Sequence, residues 1–155
     1  MPRITALIRI LPLVLVALLH SGAPRAYAKD ARAQCAKAGD DDRVRPLSPD
    51  LKAAAESAFP GALQETTVYR CMNGAVWLCN HGANLTCAKA DTRRDLPSVA
   101  AYCRENPTSD IVPMAVTGHG TIYTFACSNG HARITDEAKV DDRGFIANQW
   151  TKIAK

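Results

Sequence analysis

Hydrophobic positions along the chain fall first in one block, then at helical spacing, then in alternation. The block is the 10-residue apolar run 10–19, which follows Arg3 and Arg9 and precedes the small-x-small site Ala26-Tyr27-Ala28. A basic start, a short apolar run and small residues before a cut form the layout of a cleaved secretory signal. Residues 1–28 therefore read as a signal peptide, with Lys29 as the first mature residue. A transmembrane helix needs about 20 apolar residues, so membrane insertion after cleavage is not expected. A lipid anchor would need a cysteine where Lys29 stands.

Residues 29–47 are polar and without period, and read as an arm tethered by Cys35. The single domain is expected over 48–155. Its first element is a helix in "SPDLKAAAESAFPG": Ser48 can cap, Pro49 fits the first turn, and Pro60-Gly61 stops it. Leu51, Ala54, Ala55, Ala58 and Phe59 fall on one face of that helix. From Thr66 the period becomes that of a strand. "TTVYRC", Asn73-Gly74 and "AVWLC" form a hairpin, because Asn-Gly tolerates the positive φ angles of a tight turn. A two-residue loop pairs Cys71 with Val76 and Val68 with Cys79, which sets Cys71 and Cys79 on opposite faces and disfavours a bridge between them.

After an aperiodic loop, "LPSVAAYCREN" predicts a helix with Leu96, Val99, Ala100 and Cys103 on its inner face. "DIVPMAVTGHG" reads as extended and broken by Pro113, and "TIYTFAC", Ser128-Asn129-Gly130 and "HARIT" as a second hairpin. Both hairpins carry a tyrosine, then Cys-x-Asn-Gly; an internal duplication and shared turn chemistry both account for that. In the tail, Phe145, Ile146, Gln149, Trp150 and Ile153 are at helical spacing, with a strand as the alternative. The expected fold is α+β, a small antiparallel sheet of hairpins with two or three short helices.

The six cysteines change this picture most. Cys35, Cys71, Cys79, Cys87, Cys103 and Cys127 all follow the signal, and an even number in an exported chain predicts three disulfides. Cys103, aimed inward, is expected to meet Cys87 or Cys79. Charge changes it least. Of 19 Lys and Arg, Arg3, Arg9 and Arg25 leave with the signal and no acid does, so 16 stand against 15 Asp and Glu, a net of +1. Nothing in that balance points to nucleic acid.

Cys79, His81 and Cys87 resemble a zinc set in residue type, but their spacing matches no zinc pattern and oxidised sulfur cannot ligate as thiolate. A calcium loop around Gly144 would need carboxylates where Lys139 and Trp150 stand. No cofactor or metal is implied. For catalysis, "TGHGT" exposes His119 between glycines, without the partners that an acid–base or nucleophilic site needs. Gly-rich "NHGAN" and "TGHGT" loops on a stapled sheet suit presentation of side chains to a partner, and His81, His119 and Tyr123 are the binding candidates. Asn84-Leu85-Thr86 fits a glycosylation acceptor, relevant only in a eukaryotic secretory pathway.

The runs "VYRCMNGAVWLCNHGANLTCAKA", "IVPMAVTGHGTIYTFAC" and "VDDRGFIANQW" resemble a group of small exported bacterial proteins without assigned activity. That resemblance implies a periplasmic or secreted location. The hairpin "YRCMNG" is similar to the first hairpin of periplasmic inhibitors of C-type lysozyme, small β-barrels that insert a loop into the enzyme's cleft. Six cysteines, helices and a polar arm depart from that pattern. The function expected is a non-catalytic module that binds an envelope protein or glycan, with a small enzyme using a loop histidine, or a structural envelope protein, as the rivals.

Overall fold

The computed structural model describes residues 30–82 and 84–154. The signal-peptide reading of 1–28 lies outside them. The chain is α+β and is held by three disulfides. In chain order the elements are α1 (Ala31–Ala38), β1 (Asp41–Pro46), α2 (Lys52–Ala58), β2 (Thr67–Met72), β3 (Ala75–Asn80), α3 (Pro97–Glu105), α4 (Met114–Thr117), β4 (Tyr123–Ser128), β5 (His131–Glu137) and β6 (Thr151–Lys152). Strands β1, β2, β3 and β6 form one antiparallel sheet in that order, and β4 and β5 form a separate hairpin. Among the described residues no helix is long and apolar enough to cross a membrane.

Both hairpins turn on Asn-Gly, with φ of 53° and 69° at Asn73 and Gly74 and of 51° and 78° at Asn129 and Gly130. Two successive left-handed residues make a type I′ turn, whose twist matches that of the flanking strands. The register of the first hairpin follows, with Cys71 opposite Val76 and Val68 opposite Cys79.

Four expectations are corrected. The polar segment read as an arm is helix α1 and edge strand β1. Asp30 caps α1 by accepting from the Ala33 N–H at 3.0 Å, and Gly39 ends it at φ 70°. Only Ala31 and Cys35 of α1 are buried, so its inner face is too narrow to show as a period. The helix read from Ser48 begins as a 3-10 turn, Pro49–Leu51, and the Ser48 hydroxyl bonds to the Asp50 carboxylate rather than to a backbone N–H. Residues 114–117, read as extended, are α4, whereas in the tail the strand alternative is realised as β6 after a 3-10 turn, Ala147–Gln149. Finally, Cys103 is bonded to Cys127, and Cys79 to Cys87, while Cys35 takes Cys71. The reason is packing: α3 lies on the second hairpin, where Val99 and Cys103 share a core with Ile122, Phe125 and Cys127.

The structure repeats one plan twice. In each half a helix carries a cysteine bonded to the strand cysteine two residues before the Asn-Gly turn. The turn glycine then donates its N–H to the carbonyl four residues after the helix cysteine: Gly74 to Gly39 at 2.9 Å, Gly130 to Pro107 at 3.1 Å. The residue six after that cysteine lies beside the strand cysteine, Asp41 opposite Cys71 and Ser109 accepting from the Cys127 N–H at 2.7 Å. A short helix follows, α2 or α4, before each hairpin. The halves differ in length, since the two bonds span 36 and 24 residues.

A third apolar cluster holds Cys79, Cys87, Phe145 and Trp150, packing the tail against the first hairpin. Against it lies Arg70, fully buried and paired with Asp141. Nearby, Asp42 of β1 accepts from Arg143 Nε at 2.8 Å and Lys89 Nζ at 2.7 Å.

These contacts set the acid behaviour. Hydrogen bonds from Arg143 and then Lys89 hold the Asp42 carboxyl below the usual carboxylate range, Arg43 and then Arg45 do the same for Asp41, and Arg93 lowers Asp91 to about 2. A carboxyl whose pKa falls on folding stabilises the fold above its unfolded pKa, and that contribution disappears as pH falls through the folded value. The melting temperature is expected to hold from about pH 7 to about 5 and to drop between about 4 and 2. Calorimetry across that range checks this, and Asp42→Asn should flatten the acid limb.

Candidate functional site

Helix α4 starts after Pro113, which presets the first turn, and ends where Gly118 turns the chain at φ 83°. The loop that follows carries His119 and is pinned to the segment before α3: Asp91 N–H donates to the Gly120 carbonyl at 2.6 Å, and Ile122 N–H to the Asp91 carbonyl at 3.1 Å. Strand β4 then begins with Tyr123. These elements enclose a groove of about 460 Å³, into which the tail brings Ile146, Asn148 and Gln149.

Two of the three binding candidates meet here. His119 lines the groove and is exposed, so its imidazole is free to reach a ligand. Tyr123 lines it too but is only 7% exposed. Its ring lies 5.0 Å from the Arg94 guanidinium and edge-on to Phe125 at 6.0 Å, and its hydroxyl accepts from Arg94 Nη1 at 3.4 Å. Tyr123 is thus a wall of the groove rather than a reaching side chain. His81 is elsewhere, exposed at the end of β3 with its N–H donating to the Thr66 carbonyl at 3.0 Å. Asn84, exposed, lines the groove rim.

Sequence reasoning missed the apolar rim and the amide floor. Ile111 is 63% exposed and Met114 45%, two of the few large apolar side chains in solvent. Gln149 turns a buried Oε1 atom that has no hydrogen-bond partner among the described residues. The run "IVPM" was a usable signal: apolar residues ahead of a glycine-flanked histidine, with Pro113 interrupting any strand, so that Val112 is buried while Ile111 and Met114 stay in solvent.

No Asp, Glu, Lys, Arg or Cys stands among the described residues that line this groove. It offers amides, hydroxyls, one imidazole and apolar surface, which are binding groups. All six cysteine sulfurs are in disulfides, so Cys79 and Cys87 leave His81 without thiolate partners. Comparison with protein-family models, with curated proteins and with solved structures returned no match.

Proposed function

We propose that this chain is an exported, non-catalytic binding module of the bacterial envelope, periplasmic or secreted, that captures its partner in the groove beside His119. One observation carries the reading: residues chosen for their chemistry, His119 and Tyr123, share a groove whose described lining is uncharged and rimmed by exposed Ile111 and Met114. An exposed apolar rim around satisfied and unsatisfied polar groups is the composition of a recognition surface. A histidine acting as general base needs a second group placed near the reacting atom, and the groove supplies no charged one. Three disulfides fit an oxidising compartment, in line with export. Inhibition of an envelope enzyme is one form that such binding takes, and an envelope glycan is the other partner class.

The test is retention of envelope material on the immobilised mature chain, compared with Met114→Asp and His119→Ala. Both positions are exposed, so folding should change by no more than about 0.5 kcal/mol. One partner is expected to stay on the wild type and to bind at least about tenfold more weakly to Met114→Asp, the cost of a charge against an apolar contact. Chain recovered from the periplasmic fraction is expected to begin at Lys29. Retention of nothing, combined with turnover of an envelope glycan that His119→Ala abolishes, assigns the histidine to catalysis instead. Neither retention nor turnover leaves the structural envelope role.

A further inference from the structure

The repeated plan has one unequal place. In the first half the outer edge of β3 is covered, because β6 pairs with it through Trp77 and Lys152 and through Leu78 and Thr151. The equivalent strand of the second half is β5, and among the described residues it pairs only with β4. Six of its seven residues are exposed. An uncovered strand edge presents unpaired N–H and C=O groups and is a template for another strand.

Side chains decide which strand fits. The hairpin is in register from Ser128 and His131 up to Phe125 and Ile134, and then a bulge lets Thr124 face Asp136. Residues three apart in a regular strand point to opposite faces. The bulge cancels that: Arg133 opposes Ala126 and Asp136 opposes Thr124, two residues apart on β4, so Arg133 and Asp136 share one face. Both are exposed, and neither side chain has an ion-pair or hydrogen-bond partner among the described residues. Ile134 points the other way, into the core under α3. Glu137, the remaining acid of β5, already faces Arg94 at 3.7 Å.

We propose that the free edge of β5 is a self-association surface, on which a second copy of this chain adds its own β5 antiparallel about a twofold axis between Ile134 and Thr135. That axis sets each Arg133 opposite the partner's Asp136, giving two reciprocal ion pairs on one face, as an isologous contact requires. Charged side chains and bulges are common defences of an edge against pairing, and β5 has both, but here the bulge orders its charges for a copy of itself. This edge carries opposite charges in self-complementary order. The contact is short, so the dimer belongs to the weak, transient class of interfaces. It leaves the groove beside His119 open, because no β5 residue lines it.

Sedimentation equilibrium of the mature chain from about 1 µM to about 1 mM tests the proposal. Wild type is expected to dimerise within that range. Arg133→Asp and Asp136→Arg should each weaken self-association at least about tenfold, since each sets two like-charged pairs across the axis. An equimolar mixture of the two variants should recover the dimer, because every pair across the axis is again of opposite sign. Circular dichroism and melting of each variant confirm the fold, which changes at exposed positions should leave intact. A wild type that stays monomeric throughout, or a dimer indifferent to both charge reversals, overturns the proposal. Variants that weaken the dimer but do not recover it on mixing overturn the paired register.

Discussion

Replacing Asp141 by alanine is expected to destabilise the protein by about 3–5 kcal/mol, the usual cost of leaving one member of a buried ion pair without its partner. Arg70 is 0% exposed, its Nη2 donates to Asp141 Oδ2, and its guanidinium carbon lies 4.1 Å from the Phe145 ring centre and 4.6 Å from that of Trp150. Burial pulls the guanidinium pKa down while the charge and hydrogen bond of Asp141 push it back. Without that carboxylate a charge sits among aromatic rings with no hydrogen-bonded counter-ion, only the more distant Asp42. The same carboxylate also receives the Arg143 and Phe145 N–H groups, at 2.9 and 3.1 Å, so the loop that delivers Phe145 loses its brace. Arg70→Met is expected to cost less than half as much, because the thioether fills the aromatic cage and Asp141 keeps its backbone donors. Urea titrations of both variants at pH 7 decide it. Equal losses, or a loss under about 1 kcal/mol for Asp141→Ala, would show that water or a rotated side chain rescues the guanidinium.

Removal of the disulfides should rank by the loop that each closes. With separations of 36, 24 and 8 residues, the chain-entropy model gives about 4, 3.5 and 2.5 kcal/mol for Cys35–Cys71, Cys103–Cys127 and Cys79–Cys87. Alanine pairs at each bond and thermal melts give the order. The first bond has a further effect. Helix α1 buries only Ala31 and Cys35, so without the bond little apolar surface holds it, and its amides are expected to exchange with solvent far faster than those of α3. Should the Cys79–Cys87 pair prove the most costly, packing around Phe145 and Trp150 outweighs loop entropy.

These two regions also show why the sequence was only partly legible. Asn-Gly turns flanked by alternating apolar residues predicted both hairpins, and the first one to the residue, because turn chemistry is local. Helix α3 was legible for the same reason: Val99 and Cys103 recur at helical spacing and both are buried. Polar α1 and β1 were not, since one is held by a sulfur bond and the other is an edge strand covered on one side only. Nothing in the strand pattern singles out Arg70, because its partner Asp141 arrives from 71 residues away. Of the binding candidates, His119 and Tyr123 stand out in the sequence for their flanking glycines and aromatic ring, and the fold places both in one groove. His81 stood out equally and belongs to another surface, as a turn histidine carries no sign of what lies across from it.

The order of the three bonds has a consequence for how the chain acquires them. Each cysteine is joined to the next one in sequence: first to second, third to fourth, fifth to sixth. A chain that threads into an oxidising compartment from its N-terminus therefore presents every correct partner before any later thiol has arrived to compete. On the proposed export, oxidation would follow translocation bond by bond, and the native pairing, one of 15, would need no reshuffling.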